Sequence, residues 1–485
     1  MRISLKQTRL GLRNSTTRLP FRYGAACLTT CPQAVLEVQV EINGSAAVGY
    51  SGDCLPPGWF DKTPTTNYRQ QIEDMLSAIH FAEHVMADQL RKPHDFFRAY
   101  LALDDRLQDE ARQQSWPELL AGFGTSLVER AVIDAVGRAT NLSLNQLVRE
   151  NVLGISAGEF HPELSGIEPA AWLPKEPRQQ LYVRHTIGLA DPLSSSDIPA
   201  DERLEDGFPQ SVDQYIDQKG IQYFKIKLAN QLDHDVARLE QFVSVVEPRL
   251  GNRYRLTLDG NEQYKQADDF SELIEQLRCN AKLATLLANT LVIEQPLERS
   301  IALDPKHTAG IRQLGKTIPV IIDESDGTRD AYRQAIDCGY RGVSSKSCKG
   351  VLRSLLNAGL TWHLNQLDKS SPFVMTGEDL CSVGVIPVQS DLCLVATLGL
   401  EHIERNGHHY HPGISYLPAE EQEAALKAHP DFLGRQHGVI GPEVVGGLFE
   451  IGSLQCPGTG FATLPDMETM QTTDNWSFES LGLEL

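Results

Sequence analysis

Three short apolar runs decide how this chain folds: LTLDGNE (256–262), VIEQP (292–296) and IIDES (321–325). Each run is typical of a buried strand, and an acidic residue directly follows its apolar part. Asp259, Glu294 and Asp323 follow one another at intervals of 35 and 29 residues. A barrel of eight strand–helix units in about 250 residues has a period of roughly 31 residues. The spacing therefore predicts consecutive strands of a (β/α)8 barrel.

The same alternation extends on both sides of these runs. Five further apolar runs bring the total to eight: LYVRHTIGL (181–189), YFKIKLA (223–229), GVSSKSC (342–348), PFVMTGEDL (372–380) and LGLEHIE (398–404). Right-handed crossovers between parallel strands keep all their carboxyl ends on one rim of the barrel. Barrel active sites lie at that rim, where polar residues end several of these runs.

The chain around the barrel has a different composition. Residues 1–155 combine a predicted hairpin at 38–50, turning at Asn43-Gly44, with a Gly/Pro-rich loop at 51–66 and three helical stretches. A proline-containing linker at 156–178 leads to the barrel at 179–412. We expect an α/β protein: a TIM-like barrel with an N-terminal α+β capping domain, completed by residues 413–485 returning to the cap.

Composition excludes several classes of protein. The 485 residues include 44 Lys and Arg against 64 Asp and Glu, a net charge of −20. This charge disfavours sequence-independent nucleic-acid binding, and no apolar run is long enough for a membrane span. Nine scattered cysteines and no apolar leader predict a reducing, cytoplasmic compartment. The acid-free first 36 residues leave a transit peptide as an alternative, although the alternation of apolar residues there favours a strand.

Three carboxylates at neighbouring strand ends would point into one small volume. Without compensation they would repel and raise one another's pKa. A hard divalent cation relieves this repulsion, and ligation by oxygen alone favours Mg2+ or Mn2+ over zinc. The alternative is that each acid caps the N-terminus of a helix.

Lysines accompany the acids. Lys225 and Lys227 lie two residues apart, so on a strand they share one face, and in a barrel that face can be the interior. Two such ammonium groups would lower one another's pKa towards the range of a general base. Lys346 ends the sixth run, across the barrel from the second, with Lys349 as an alternative. A solvated pair at a strand edge is the other reading of Lys225 and Lys227.

The ordered set FKIKLA, LTLDGNE, VIEQP, IIDES and SSKSCKG resembles the enolase superfamily. It is most similar to the muconate-lactonizing and dipeptide-epimerase branch. SLVERAVIDAVGRAT (126–140) resembles the last helix of that family's capping domain, so the resemblance covers roughly residues 20 to 410. Glu378 on the seventh run is not a histidine, so the His-Asp base of the mandelate racemase branch is not visible.

The resemblance implies a site. Asp259, Glu294 and Asp323 would bind Mg2+, with Mn2+ as an alternative, and Lys227 and Lys346 would be the acid/base pair. Asp323 is chosen over Glu324 by resemblance, because strand alternation turns only one of them inward.

The resemblance also implies substrate contacts. Lys225 would assist Lys227 or contact the substrate, and Glu378 would bind the substrate. The cap loops around 21–31 and 51–66 would close over the barrel mouth, with Tyr23 and Trp59 touching the substrate.

The expected reaction is removal of the α-proton of a carboxylate substrate, giving a metal-stabilised enediolate. Epimerisation or racemisation, cycloisomerisation or dehydration would follow. Two alternatives stay open: a Schiff-base aldolase or lyase using Lys346, and a non-catalytic barrel that serves as a binding module. We expect a small-molecule carboxylate as substrate, assembly into a homo-oligomer, and neither nucleic acid nor membrane as a partner.

Overall fold

The computed structural model describes residues 1–23 and 26–483. The N-terminal unit is a three-stranded antiparallel sheet in the order β1-β2-β3 with helices packed on it. Its elements are β1 (Ile3–Tyr23), β2 (Ala26–Ile42), β3 (Ser45–Cys54), α1 (Tyr68–Gln89), α2 (Phe96–Gln114), α3 (Glu118–Thr140) and α4 (Leu144–Arg149).

The turns and helix starts of this unit follow from local sequence. Asn43 and Gly44 join β2 to β3 with positive φ angles of 49° and 91°, as expected for this dipeptide. Asn67 and Asp95 cap α1 and α2, each accepting a backbone N–H with its side chain. The predicted loop at 51–66 begins later than expected, because β3 continues to Cys54 and pairs there with Gln33 of β2.

Eight parallel strands form a closed barrel, which confirms the predicted (β/α)8 fold. They pair in chain order, and the last strand pairs with the first. The strands are β4 (Gln180–Ile187), β5 (Tyr223–Lys227), β6 (Arg255–Asp259), β7 (Thr290–Glu294), β8 (Val320–Ile322), β9 (Gly342–Ser345), β10 (Val374–Gly377) and β11 (His402–Arg405).

Helices follow the strands around the barrel. They are α5 (Val212–Lys219), α6 (Leu232–Leu250), α7 (Ala267–Cys279), α8 (Ala284–Asn289), α9 (Arg299–Ala302), α10 (Thr308–Gly315), α11 (Ala331–Asp337), α12 (Val351–Leu367), α13 (Ile386–Leu398) and α14 (Gly407–Tyr410). Within the described ranges, no helix has the length and apolar character needed to cross a membrane.

The C-terminal segment contacts both units. It contains α15 (Ala419–Ala428), β12 (Leu433–Gln436), β13 (Val439–Pro442) and β14 (Leu448–Glu450). Strand β14 pairs antiparallel with the first barrel strand, β4. Further along, Gln471 forms a backbone bridge with Leu12 of β1.

The cap also packs directly on the barrel. Leu352, Leu355 and Leu356 of α12 lie in the same apolar cluster as the cap helices. Glu129 of α3 accepts backbone N–H groups from Val351 and Leu352, at the start of α12. The cap is therefore anchored just after the sixth barrel strand, next to Lys346.

Candidate active site

The carboxyl ends of five neighbouring strands bring the predicted residues together. Lys227 lies opposite Asp259 in the β5–β6 register, and Asp259 lies opposite Glu294 in the β6–β7 register. Asp323 and Lys346 immediately follow β8 and β9. The buried apolar residues between them, such as Ile226 and Leu258, face the surrounding helices. The alternation of each strand therefore turns the charged residues into the barrel.

Lys225 is the centre of the charge network. Its ammonium group contacts four carboxylates, those of Glu294 at 2.8 Å, Glu378 at 2.9 Å, Glu404 at 2.9 Å and Asp259 at 3.0 Å. Burial by itself disfavours the charged amine, but the attraction of these carboxylates is larger and holds the pKa of Lys225 well above its ordinary value. Lys225 is therefore a fixed cation.

Lys227 is paired with the first of the predicted metal ligands. Its amine lies 2.5 Å from Asp259 Oδ2, while the backbone N–H of Asn261 donates to Asp259 Oδ1 at 2.8 Å. Burial and the repulsion from Lys225 oppose the charge, but the carboxylates of Asp259, Glu404 and Glu294 together outweigh them, so the pKa of Lys227 is raised. The expected mutual lowering of the two lysine pKa values is therefore not found. Lys225 and Lys227 both contact carboxylates that the sequence analysis predicts to bind a divalent metal ion.

Lys346 forms the corresponding pair on the other side of the barrel. Its amine lies 2.8 Å from Asp323 Oδ2 and 4.4 Å from the centre of the Trp59 ring. Lys349 approaches the other oxygen of Asp323 at 3.3 Å and donates to the backbone carbonyl of Ser344 at 2.9 Å. Only Lys346 of these two lysines lines the central cavity. Lys349 instead supports Asp323 from behind.

The central cavity collects most of the predicted residues. It is small, about 30 Å3, room for one or two water-sized groups. Lys227 and Lys346 come from β5 and β9, which are four strands apart in a barrel of eight and therefore on opposite sides. Its wall contains Phe21, Tyr23, Trp59, Lys225, Lys227, Asn261, Asp323, Glu324, Lys346, Asp379, Glu404 and Asn406, among others.

Glu378 lies outside the cavity wall. It is fully buried, with one oxygen paired to Arg184 and the other to Lys225. Glu404, which ends the eighth run, lines the cavity instead, and its Oε1 accepts a hydrogen bond from Thr186 at 2.6 Å. Of these two acids, Glu404 and not the predicted substrate contact Glu378 lines the cavity. Acids end both the seventh and the eighth run, and the sequence alone does not distinguish them.

Asp323 and Glu324 both face the cavity, so the expectation that only one of them turns inward is wrong. Strand β8 ends at Ile322, and beyond it the side chains no longer alternate. Glu324 Oε1 accepts a hydrogen bond from the Asn261 side chain at 3.2 Å, whereas Oε2 is buried without a partner. Burial, with a contribution from Glu262, raises the pKa of Glu324 to about 7.

The donor set fits a hard cation. Asp259, Glu294 and Asp323 offer only oxygen, and Glu294 Oε2 is a buried acceptor without a hydrogen-bond partner. Burial and then the nearby Asp259 and Glu378 carboxylates raise the pKa of Glu294 well above its ordinary value. In residues 1–23 and 26–483, no three His, Cys, Asp or Glu side chains have the spacing of an assembled metal site. The ammonium of Lys225, between Asp259 and Glu294, supplies the positive charge in this arrangement.

Comparison with known proteins agrees with this architecture. Residues 208–349 match a family model described as enolase C-terminal domain-like. A mandelate racemase/muconate lactonizing protein from Herpetosiphon aurantiacus is 16% identical, with a TM-score of 0.58 over 95% of this chain and 99% of that chain. No curated protein matches the sequence.

Two other solved structures represent the two parts of the predicted branch. Muconate lactonizing enzyme from Pseudomonas fluorescens, complexed with muconolactone, is 16% identical, with a TM-score of 0.57 over 96% of this chain and 97% of that chain. Dipeptide epimerase from Enterococcus faecalis, complexed with Mg and the dipeptide L-Leu-L-Tyr, is 14% identical, with a TM-score of 0.56 over 94% and 99%. At such identities the likeness establishes the fold.

The class of protein follows from these findings. The match over residues 208–349 confirms the predicted resemblance to the enolase superfamily, and the solved structures share its fold. The shared fold is that of mandelate racemase and muconate lactonizing enzymes, with a capping domain over the barrel.

Proposed function

We propose that this chain is a Mg2+-dependent enzyme that removes the α-proton of a small carboxylate substrate. The products would arise by epimerisation or racemisation, by cycloisomerisation, or by dehydration. The observation that carries the proposal is the presence of two amines, Lys227 and Lys346, on opposite strands of the barrel and on the wall of one cavity.

Opposed amines suit a planar intermediate. A proton removed from one face of the α-carbon can be returned to the other face, which inverts the centre. Alternatively, the second amine can hold a developing anion or protonate a leaving group. Lys227 and Lys346 are held for this task by Asp259 and Asp323, which orient their amines.

The three carboxylates lie on the strands between the two lysines. Asp259, Glu294 and Asp323 would hold the divalent cation, which when bound would stabilise negative charge developing on the substrate carboxylate. Asp259 and Asp323 also raise the pKa of their lysine partners. An amine acts as a base only in its neutral form. Another cation must therefore neutralise Asp259 and Asp323 before Lys227 and Lys346 can lose their protons.

The cap has to move for substrate to enter. The cavity of about 30 Å3 has room for one or two water-sized groups, so we propose that the cap segments open to admit the substrate. Tyr23 donates a hydrogen bond to the Pro57 carbonyl at 2.5 Å, which joins the two cap segments over the cavity. We propose that Tyr23 and Trp59 contact the substrate when these segments close on it.

The site geometry disfavours the two alternatives. A Schiff-base reaction at Lys346 would leave the three carboxylates Asp259, Glu294 and Asp323 without a role. A non-catalytic barrel would leave its lysines turned to bulk water, whereas Lys227 and Lys346 are buried and face the cavity. No observation favours either alternative.

Hydrogen exchange tests the proposal without knowledge of the product. The protein is incubated in deuterated water with Mg2+ and a panel of acids that includes dipeptides and muconolactone, and deuterium at the α-carbon is measured by mass spectrometry. We expect exchange with at least one acid, lost on chelation and lost in Lys227→Ala. Lys282→Ala is the control, because this exposed lysine pairs only with Glu240 at the surface.

Two results would reject the proposal. One is exchange that continues at the full rate after chelation. The other is a Lys227→Ala protein that exchanges as fast as the Lys282→Ala control.

A further inference from the structure

We propose that Arg299 is a positioning residue, which holds the cap so that the indole of Trp59 covers the amine of Lys346 but not that of Lys227. The inference deepens the proposed function and rests on its assignment of Lys346. Closure of the cap would then shield the amine of Lys346 and leave the amine of Lys227 without aromatic cover.

Arg299 joins the barrel rim to the backbone of the cap. Its guanidinium donates to the carbonyl of Phe60 at 2.8 Å and to that of Trp59 at 2.9 Å. The same group makes a two-point pair with Glu262, with both N–O distances 2.7 Å. Bidentate pairing of this kind fixes both the position and the orientation of a guanidinium.

We call the contacts of Arg299 with Glu262 and with the Trp59 and Phe60 carbonyls the clamp. Its two barrel residues come from the loops that follow the strands ending in Asp259 and Glu294. Glu262 lies three residues after Asp259, and Arg299 begins α9, five residues after Glu294. Lys62 of the cap pairs with Glu262 as well. The segment 59–62 is therefore tied to the barrel by backbone and by side-chain contacts.

Trp59 connects the clamp to the amine of Lys346. Its ring centre lies 4.4 Å from Lys346 Nζ, and its side chain is packed edge-on against Phe60, which in turn packs on Phe123 of α3. In residues 1–23 and 26–483, Lys346 is the one lysine whose amine lies over an aromatic ring. An indole face both attracts a cation and excludes water from it.

The clamped segment also separates two spaces. On its outer side is a wide vestibule of about 1000 Å3, whose wall includes Phe60, Lys62, Glu262 and Arg299. On its inner side is the cavity of about 30 Å3 that contains Lys346. Asn261 lines both spaces, so they adjoin. Release of Arg299 from the Trp59 and Phe60 carbonyls would therefore open Lys346 to the vestibule.

Competitive acetylation of lysines tests the inference on the full chain with Mg2+ present and no substrate. The protein is treated with a trace of acetic anhydride, and peptides containing Lys346 and Lys227 are quantified by mass spectrometry. Arg299→Gln and Trp59→Leu should each raise acetylation of Lys346 about tenfold, because the amine loses its aromatic cover. Acetylation of Lys227 should rise less, because, among the described residues, no aromatic ring lies over this amine to be removed.

Conservative variants and a matched control separate positioning from general damage. Trp59→Phe keeps an aromatic face and should restore most of the protection of Lys346. Arg299→Lys keeps the positive charge without the bidentate geometry and should restore part of it. Arg278→Gln removes an arginine that pairs with Glu275 on α7, and it should change neither lysine. Circular dichroism establishes that each variant is folded.

The outcomes decide the inference independently of catalysis. Unchanged acetylation of Lys346 in Arg299→Gln and Trp59→Leu would overturn it, and so would an equal rise at Lys227 and Lys346. A protein with the expected acetylation pattern that exchanges no substrate α-hydrogen would instead contradict the proposed function and leave the clamp in place.

Discussion

Replacement of Lys225 by methionine should make the folding of this protein depend on a divalent cation. The ammonium of Lys225 lies within 3.0 Å of four buried carboxylates. Methionine keeps the length of the side chain and removes the charge. Without Lys225, Asp259 and Glu294 lose the cation that lies between them.

The size of the effect follows from burial. Removal of one partner of a buried ion pair lowers the free energy of unfolding by about 3–5 kcal/mol, because the remaining charge is left uncompensated in the protein interior. Arg184 still pairs with Glu378, Thr186 still donates to Glu404 and Lys227 still pairs with Asp259, so the loss is concentrated at Glu294. We expect the free energy of unfolding to fall by about 3–5 kcal/mol in chelator.

Guanidinium unfolding in chelator and in Mg2+ measures this. Mg2+ should recover much of the loss in Lys225→Met and should stabilise this variant more than the wild type, in which the cation has to displace an ammonium group. A cation present at 100 times its dissociation constant adds about 2.7 kcal/mol. Lys282→Met is the control, because its side chain is 73% exposed and pairs with one carboxylate. It should lose no more than about 1 kcal/mol in either buffer.

Two results would refute the reasoning. If Lys225→Met in chelator unfolds within about 1 kcal/mol of the wild type, Lys225 does not compensate the carboxylates. If Mg2+ stabilises the variant no more than the wild type, the same carboxylates do not hold the cation.

Three further predictions concern other parts of the molecule. Burial raises the pKa of Glu129 to about 8, so its contribution to stability is complete below about pH 4.5 and is lost as pH rises through 8. The free energy of unfolding should therefore fall by at most about 1.4 kcal/mol per pH unit in this range. Denaturant unfolding at pH 5 and pH 8 should show this fall in the wild type and not in Glu129→Gln. A Cβ at Gly49 would lie 2.2 Å from the Ala131 carbonyl oxygen, so Gly49→Ala should lower the free energy of unfolding by about 1–3 kcal/mol. A Cβ at Gly122 would lie 3.7 Å from its nearest neighbour, so Gly122→Ala should be neutral or stabilising. Thermal unfolding of the two variants measures the difference. Asp323→Asn should weaken Mn2+ binding in calorimetry about tenfold more than Glu324→Gln, and equal losses would remove the distinction between these two acids.

The barrel was predictable because its signal is repeated. Eight apolar runs carry the same period, and each supports the interpretation of the others. The same repetition located Asp259 and Glu294, because a strand that ends in an acid at this period places it at the rim. The hairpin turn at Asn43-Gly44 was predictable from a local conformational preference.

The orientation of individual side chains was not predictable. Glu378 and Glu404 both lie near the ends of apolar runs, yet of these two only Glu404 lines the cavity, whereas Glu378 pairs with the buried Arg184. The inward turn of Glu324 depends on where β8 ends. The raised pKa of Lys227 depends on an ion pair between strands, which a single run of sequence does not reveal.

The contacts between cap and barrel depend on tertiary structure alone. Arg299 and Trp59 are 240 residues apart in sequence, and neither residue type identifies the other as its partner. The resemblance placed Trp59 near the substrate, and the structure shows its ring on Lys346.

Anomalous diffraction from Mn2+-soaked crystals is the most direct test of the central claim. The account predicts one strong peak within bonding distance of oxygens from Asp259, Glu294 and Asp323, with the ammonium of Lys225 displaced from between the first two and the amines of Lys227 and Lys346 on opposite sides of the peak. A site without such a peak at saturating Mn2+, in which Lys225 still bridges Asp259 and Glu294, would contradict it.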